Sequence, residues 1–430
     1  MTKSLLTFCF CGIAALSVNA QSEINFSFSE ESPQRMLMRI SDNQKYAVGT
    51  DSYKIVFIWN LETGDVSTYP SADPDLSLKA EDITNDGIVV GNHLSKPGVL
   101  RDGVWEELPL TGESINGYPL SVTPDGSKIA GYVSKQDYTT QPAVWENGEC
   151  RILDYPLSVE GFGDVLQARV KDMSADGTIL VGNLYDRFSM QVGCVWRAPL
   201  FECEVYGAEA IGTDYYNCFA ARISNNGEWV TGPIISLEGN INYCYRYNIK
   251  EDVFEMISDL EALNGGACIN NAGTIFCYTH SGTIPMWNRV PHIQRIGEKS
   301  IPLFDHMLND FGIDMTSMSK TCTVMDVSSG EDMFGGFGMD ESNLIMGFVV
   351  TNKIADGFKK IEYKEDGMVF KNNILTVSAK DADIYIYSST GKLIRKSTQK
   401  SVDLNNAQPG IYIVTALLDG ETVCKKIIIK

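Results

Sequence analysis

The sequence predicts an all-β protein in which a β-propeller is followed by a small β-sandwich. Three observations predict it. A β-hairpin signal recurs seven times through most of the chain, an aromatic residue follows most copies at a matching place, and the residues after 355 form short strands separated by turns. The predicted domains are a signal peptide at 1–20, a propeller at 21–355 and a sandwich at 356–430.

Length and charge narrow the possible functions. The chain has 430 residues, of which 44% are hydrophobic and 21% charged, so it can bury a substantial core. Its 35 Lys+Arg stand against 55 Asp+Glu, for a net charge of −20, and most of the acidic excess precedes residue 356. Nucleic acid and anionic membrane surfaces are therefore excluded as partners, because both need a basic protein surface.

Residues 1–20 have the pattern of a secretory signal peptide. Lys3 supplies the positive start, Leu5 to Leu16 are mostly apolar, and small residues precede a cleavage site after Ala20. The mature chain then begins at Gln21. The apolar run is too short to span a membrane, and no later segment is long and apolar enough, so we expect an exported protein without a transmembrane segment.

The cysteine pattern allows disulfides without requiring them. Cys9 and Cys11 leave with the signal peptide, and the bulky Phe before each one is unlike a lipoprotein signal. Nine cysteines remain, so at least one thiol is free in a monomer. Two spacings allow hairpin disulfides, Cys268 with Cys277 and Cys194 with Cys203, while the alternative is that all are small buried hydrophobes. No C-x-x-C occurs, so we expect no structural metal and no cofactor.

The repeated hairpin explains the middle of the chain. The seven copies are ISDNQKYAVG from Ile40, ITNDGIVVG from Ile83, VTPDGSKIAG from Val122, MSADGTILVG from Met173, ISNNGEWVTG from Ile223, INNAGTIFCY from Ile269 and VSSGEDMFGG from Val327. Asp-Gly and Asn-Gly tolerate the positive φ of tight hairpin turns. An Asp in nearly every copy is therefore a turn residue rather than a catalytic acid, since catalysis needs such a residue only once.

A second hairpin follows each first one, and most carry an aromatic residue that can wedge between neighbouring sheets. The residues at this place are Trp59, Trp145, Trp196, Tyr247 and Trp287, with Leu100 in the second copy. Four short strands per unit of about 45 residues are typical of a propeller blade. The sequence favours seven blades, with six or eight also open, and residues 24–29 could complete the last blade.

Together these motifs resemble the HAF-type extracellular repeat family, over most of residues 35–350. The helical spacing of Leu303, Met307, Leu308 and Phe311 resembles the short helix that often precedes a blade in that family. VTPDGSKIAG also resembles the repeats of TolB-like propellers.

The tail resembles the type A C-terminal sorting domain of the type IX secretion system. The residues that carry the resemblance are Gly391, Asp403, Pro409, Gly410, Tyr412, Lys425 and Lys426. It implies a Bacteroidota-type host, the type IX machinery as a partner, and release or attachment at the outer cell surface. The alternative is an ordinary adhesive β-sandwich.

Enzyme motifs are missing from the sequence, including the G-x-S-x-G nucleophile elbow. The candidate ligand-binding residues are Asp214, Tyr215, Tyr216 and Asn217, because paired tyrosines beside polar groups suit a sugar ring. The prediction is a secreted binding protein for a glycan or an extracellular protein. The rivals are a carbohydrate-active hydrolase or lyase with acids in the channel, and a purely structural surface protein.

Overall fold

The computed structural model divides the chain into two compact units, residues 1–354 and 355–430. It describes residues 23–351 except 28–34, 53, 72–76, 207–214, 219, 237–241, 260–262, 281–288 and 319. In the tail it describes 368–429 except 372, 378–381, 389–392, 406, 408–409 and 419–420. The predicted signal peptide and its cleavage site at Ala20 and Gln21 lie outside the described residues, as does Trp287.

The first unit contains antiparallel sheets that follow one another along the chain. After β1 (Glu23–Ser27), the first sheet has β2 (Arg35–Ile40), β3 (Tyr46–Asp51), β4 (Ile55–Asn60) and β5 (Val66–Pro70). The second has β6 (Leu78–Ile83), β7 (Val89–His93), β8 (Lys96–Arg101) and β9 (Val104–Glu107). The third has β10 (Asn116–Val122), β11 (Lys128–Ser134), β12 (Thr140–Glu146) and β13 (Glu149–Ile152).

The later sheets repeat this order. A short ribbon, β14 (Ser158–Val159) and β15 (Gly163–Asp164), precedes the fourth sheet of β16 (Gln167–Met173), β17 (Ile179–Tyr185), β18 (Gln191–Arg197) and β19 (Glu202–Val205). The fifth sheet has β20 (Tyr215–Cys218), β21 (Arg222–Ile223), β22 (Trp229–Ser236), β23 (Asn242–Asn248) and β24 (Val253–Ile257). The sixth has β25 (Leu263–Ile269), β26 (Ile275–His280), β27 (Arg289–Gln294) and β28 (Ile301–Pro302).

The seventh sheet joins the two ends of the first unit. It comprises β29 (Thr321–Val327), β30 (Met333–Met339) and β31 (Ile345–Thr351), and β1 pairs with β31 as its fourth strand. Each sheet packs against the next along the chain, and the seventh packs against the first. The first unit is therefore a β-propeller-like, all-β body.

Helix α1 (Leu303–Phe311) lies between the sixth and seventh sheets. It buries Leu303 and Met307 but leaves Leu308 about half exposed. It ends at Gly312, whose φ of 69° allows the left-handed turn that caps the helix. Among the described residues, no helix is long and apolar enough to cross a membrane.

The repeated glycine of the hairpin signal has a steric cause. A β-bulge interrupts the first strand of several sheets, as between Val170 and Asp172 in β16. Gly182 of β17 lies opposite this bulge, and a Cβ there would lie 2.0 Å from the carbonyl oxygen of Arg169. Gly49, Gly91, Gly131 and Gly336 meet the equivalent carbonyl at 1.9–2.0 Å. The glycine permits the bulge, and the bulge re-aims the side chains that follow it.

The residues at the aromatic place of the second hairpin lie on the third strand of their sheets and are buried there. Trp59, Trp145, Trp196, Tyr247 and Leu100 are all at most 5% exposed. The indole Nε1 of Trp196 donates to the Asp154 carbonyl at 2.9 Å, and that of Trp145 donates to the Pro109 carbonyl at 2.7 Å. These two indoles thus attach the third and fourth sheets to the connections that precede them.

The second unit has two sheets. One contains β32 (Met368–Lys371), β33 (Ile374–Val377) and β36 (Ser401–Asp403), and the other contains β34 (Ala382–Ser388), β35 (Leu393–Ser397), β37 (Gly410–Leu418) and β38 (Glu421–Ile429). Side chains from both sheets form one apolar core, including Leu375, Val402, Ile384, Val414 and Ile427.

Candidate functional site: the channel

The first strands of the seven sheets surround a region that we call the channel. Their residues alternate between buried and half-buried, as in β16, where Ala168 and Val170 are buried while Arg169 and Lys171 are half-buried. The half-buried set faces the channel, because the buried set packs between sheets. Beyond the bulge, Asp172 also reaches the channel, since it contacts a side chain of the first sheet.

That contact belongs to an ionic cluster that we call the floor, formed by Arg39 and three aspartates, Asp82, Asp172 and Asp326. The Arg39 guanidinium is 2.5 Å from Asp172 Oδ1, 3.5 Å from Asp326 Oδ1 and 3.8 Å from Asp82 Oδ1. The four side chains come from the first, second, fourth and seventh sheets. One arginine therefore holds together parts of the chain that are far apart in sequence.

The aspartates of the floor also bind the backbone of the following sheet. Asp82 Oδ2 accepts a hydrogen bond from the amide of Val122 at 2.8 Å, and Asp172 Oδ2 accepts one from Ile223 at 3.1 Å. Asp326 Oδ2 accepts one from Ile40 at 2.7 Å, which links the seventh sheet to the first. Each carboxylate thus uses one oxygen on Arg39 and the other on a neighbouring strand.

Burial and charge act against each other in the floor. Burial opposes the charge of Arg39, but the three carboxylates raise the pKa of its guanidinium above the ordinary value. Burial raises the pKa of Asp82 to about 6, although Arg39 favours its ionised form. Burial also raises the pKa of Asp326. Arg39 therefore offsets only part of the cost that burial imposes on the charge of these two carboxylates.

A small pocket of about 50 Å³ lies between the floor and the hairpin turns, and its wall includes Arg39 and the three aspartates of the floor. Its wall also includes Asp42 and Asn225, and the Asn225 amide donates to Asp42 and, at 3.1 Å, to Ser329 Oγ. The turns of the first, fifth and seventh sheets meet through this amide. A polar pocket of this volume suits ordered waters.

Above the floor lies a second set of side chains that we call the middle layer, formed by Met38, Glu81, Leu120, Lys171 and Met325. Each precedes the floor position of its strand and is half-buried. Glu81 and Lys171 are its two ionisable members. Within the described part of the chain, neither side chain has a hydrogen-bond or ion-pair partner.

The pKa values of these two groups shift in the directions expected of partly desolvated charges. Burial raises the pKa of Glu81, against the effect of nearby cations such as Arg222. Burial, together with Arg169, lowers the pKa of Lys171 to about 8. Their environment therefore disfavours both charges, and a bound group of opposite charge would stabilise either of them.

An aromatic stack stands above the middle layer on the third and fourth sheets. The Arg169 guanidinium lies 4.9 Å from the ring centroid of Tyr132 and 4.7 Å from that of Tyr185, and its Nε donates to Thr140 Oγ1 at 3.0 Å. Tyr118 stacks on Tyr132 with centroids 4.7 Å apart. Burial raises the pKa of Tyr132 to about 12, so its phenol remains neutral at physiological pH.

The structure describes only some of the predicted ligand-binding residues. Asp214 lies outside the described residues. Tyr215, Tyr216 and Asn217 lie in β20, whose backbone pairs with β22 at the inner edge of the fifth sheet, and only their backbone is described. Binding of a sugar by these residues stays a prediction.

The turn aspartates have the geometry of structural residues. Asp125 Oδ1 accepts hydrogen bonds from the Ser127 amide at 3.0 Å, the Ser127 hydroxyl at 2.8 Å and the Thr123 hydroxyl at 2.7 Å. These bonds, the amide first, lower its pKa to about 2. Asp176 accepts the same set from Ser174 and Thr178.

The predicted cysteine pairs differ from each other in geometry. Cys194 and Cys203 are in hydrogen-bonding contact on neighbouring strands. A bulge in β25 moves Cys268 opposite Phe276, so it does not face Cys277 as expected, and Cys277 contacts Cys244 of the fifth sheet instead. All four are free thiols in the structure, and their disulfide state after export stays a prediction.

Comparison with known proteins identifies the tail. Residues 370–430 match the family described as "Secretion system C-terminal sorting domain". All seven tail residues that carry the predicted resemblance lie within this match. The match supports a type IX sorting domain, which indicates secretion and attachment to the cell surface. The match covers the second unit only, and no curated protein matches the chain.

Solved structures align with the chain at low identity. A TolB from Agrobacterium tumefaciens is 14% identical, with a TM-score of 0.42, and the alignment covers 69% of this chain and 97% of that one. TolB from Acinetobacter baumannii is 13% identical, with a TM-score of 0.36 and 62% of each chain covered. A prolyl endopeptidase structure is 10% identical, with a TM-score of 0.45, 93% of this chain covered and 55% of that chain.

Proposed function

We propose that the protein is a secreted or cell-surface β-propeller that binds an extracellular ligand, exported through a type IX system by its C-terminal domain. The match of residues 370–430 to a sorting domain carries the proposal. A sorting domain serves a protein that acts outside the cell, and binding is the function that a channel with unpaired charged groups supports best.

The proposal includes a finer architecture. The body is a seven-bladed propeller of HAF-type repeats, the tail is a β-sandwich, and the host is a Bacteroidota-type bacterium. Support for seven blades comes from the seven successive sheets and from β1, which adds the fourth strand to the last of them. Such a strand removes an edge that would otherwise be open to aggregation.

Export is tested by removing the tail. In a bacterium with a type IX system, the full chain is expected in the medium or on the surface, while a chain ending at residue 369 accumulates in the periplasm. The matched point variants are Lys425→Ala/Lys426→Ala inside the sorting domain and Lys359→Ala/Lys360→Ala before it. Immunoblots of cell fractions provide the measurement. Normal export of the truncated chain would refute the role of the tail.

Ligand binding is tested separately from export. The purified full-length protein is applied to a glycan array, beside the Tyr215→Ala/Tyr216→Ala variant. Loss of glycan binding in the variant would support the predicted residues of β20, and unchanged binding would exclude them. A protein that binds no glycan would point to an extracellular protein partner.

An extracellular carbohydrate-active hydrolase or lyase is the second candidate function. The observation in its favour is that carboxyl groups with raised pKa converge in the channel, namely Asp82, Asp326 and Glu81. Against it, both oxygens of Asp82 and Asp326 already have partners in the floor, which leaves Glu81. Release of new reducing ends from a polysaccharide, abolished by Glu81→Gln, would favour the enzyme.

A further inference from the structure

The middle layer differs from an ordinary channel lining in its charge balance. Met38, Leu120 and Met325 make it largely apolar, yet it contains Lys171, whose ammonium has no partner among the described residues. A charged group at a partly desolvated place is costly when nothing compensates it. The structure therefore has an ammonium that a ligand could pair.

Arg222 supplies a second cation next to the middle layer, since its charge acts on the pKa of both Glu81 and Lys171. It stands at the floor position of β21, and its guanidinium donates through Nη1 to the carbonyl of Ala221 at 3.2 Å. Its Nε is buried without a partner among the described residues. Burial and the nearby Arg39 lower its pKa, even though Asp172 and Asp326 act in the opposite direction. The aspartates of the floor, already shared with Arg39, do not fully compensate it.

Glu81 reduces the excess positive charge without pairing either cation. No ion pair within 4.0 Å joins its carboxyl to Lys171 or Arg222 among the described residues. Burial raises its pKa, so its protonated form is more accessible than that of an ordinary Glu. A protonated Glu81 can donate a hydrogen bond to an anion, as a carboxylic acid kept neutral in an apolar site does.

We propose that the middle of the channel binds a small organic carboxylate, with its carboxylate between Lys171 and Arg222 and its apolar part against Met38, Leu120 and Met325. This inference rests on the proposed binding function and specifies its ligand class. A carboxylate suits two cations better than a phosphate dianion does, because the apolar wall stabilises an organic group and makes a second negative charge costly.

Calorimetric titration of the full-length mature protein tests the proposal with matched probes. Sodium glucuronate is compared with glucose, which has a neutral hydroxymethyl group in place of the carboxylate. Butyrate provides a single carboxylate on an apolar chain without a sugar, and inorganic phosphate provides an anion without an apolar part. We expect glucuronate or butyrate to bind and glucose not to bind. Preference for glucuronate would identify an acidic sugar as the source of the carboxylate, and preference for butyrate a simple organic acid.

Variants assign the binding to the middle layer. Lys171→Met should weaken carboxylate binding by about tenfold or more, because it removes a charged hydrogen-bond donor, and Lys171→Arg should restore much of the affinity. Lys45→Met is the control, since Lys45 is exposed and pairs with Glu62 at 3.3 Å on the first sheet. Arg222→Gln should reduce affinity by a similar factor.

Proton uptake gives a readout that a purely structural role would not produce. At pH 8 about half of the Lys171 ammonium groups are protonated before binding, and a carboxylate would bring the rest to the charged form. Titrations in buffers of different ionisation enthalpy should then show proton uptake at pH 8 that is lost in Lys171→Met. Proton uptake at pH 6 would instead come from Glu81, whose pKa burial raises, and should be lost in Glu81→Gln.

Several results would overturn the proposal. They are equal binding of glucose and glucuronate, tighter binding of phosphate than of both carboxylates, no binding of either carboxylate at 10 mM, or full affinity in Lys171→Met. None of them affects the export experiment or the glycan array. Failure of the carboxylate site is thus distinguishable from failure of the proposed function.

Discussion

The floor and the middle layer of the channel are built from adjacent residues of the same strands, and the two layers treat charge in opposite ways. In β6, Asp82 bonds Arg39 and the Val122 amide, while the preceding Glu81 bonds neither. In β16, Asp172 lies 2.5 Å from Arg39 while the preceding Lys171 has no partner among the described residues. In each strand, a charged residue with partners in the protein is thus adjacent to a charged residue without such partners.

From this difference we infer that the floor stabilises the fold and that the middle layer is the part that can bind a ligand. The floor carboxylates give both oxygens to the protein, so they hold the sheets together and have little capacity left for a ligand. The charges of the middle layer contribute no such bonds, and their shifted pKa values show a cost that folding alone does not recover. Three substitutions, in descending order of expected effect, test whether the two layers have these separate roles.

Replacing Arg39 with Met should cause the largest loss. Three buried carboxylates would then face one another without their shared cation, and we expect a loss of about 3–5 kcal/mol in the free energy of unfolding. Thermal and urea unfolding of the full chain measure it. Lys45→Met, which breaks an exposed ion pair, should change stability by less than about 0.5 kcal/mol. If both variants were equally stable, the floor would not hold the sheets together.

Replacing Gly182 with Ala should have the next largest effect. The new Cβ would meet the Arg169 carbonyl at 2.0 Å, so the bulge that carries Lys171 and Asp172 to the channel must distort, at a cost of about 3 kcal/mol. Gly148→Ala is the control. Its φ of 78° is unfavourable for Ala, but its Cβ would have no neighbour within 4 Å, so it should cost about 1 kcal/mol. A loss in urea unfolding no larger than that of Gly148→Ala would mean that the strand accommodates the added Cβ and that the bulge does not require a glycine.

Much of this architecture could be predicted from the sequence, because the residues that mark each hairpin lie close together along the chain. The Asp-Gly turns, the closing glycines and the aromatic place mark the sheets, and the strand before the first hairpin was correctly predicted to join the last sheet. The bulge could not be predicted, since it depends on the register between two strands. For the same reason Cys268 lies opposite Phe276 and not Cys277.

A second pattern, which overlaps the hairpin motif in the sequence, could have indicated the channel. The residue just before each apolar-Ser/Thr/Asn pair occupies the floor position, and in the first, second, fourth, fifth and seventh copies it is Arg or Asp. Charges at a fixed place in a buried strand indicate a shared axis. That Arg39 of the first copy binds Asp172 of the fourth could not be read from the sequence, because it requires the curvature that brings all the sheets together.

The smallest expected effect is a pH dependence that belongs to the middle layer alone. Burial lowers the pKa of Lys171 to about 8, whereas an unfolded chain has it near 10.4. Between these values Lys171 binds fewer protons in the folded protein than in the unfolded chain, so its own contribution to stability should rise with pH across this window, by at most about 1.4 kcal/mol per pH unit. Thiols such as that of Cys150, whose pKa burial raises to about 11, contribute in the opposite direction, so the effect has to be measured as a difference between variants. The free energy of unfolding of the unmodified protein minus that of Lys171→Met should rise with pH, while its difference from Lys45→Met should stay constant. Unfolding by urea from pH 7 to 10 measures both differences. A constant difference from Lys171→Met would mean that this ammonium is as well solvated in the channel as in water, and no bound anion would then be needed to compensate its charge.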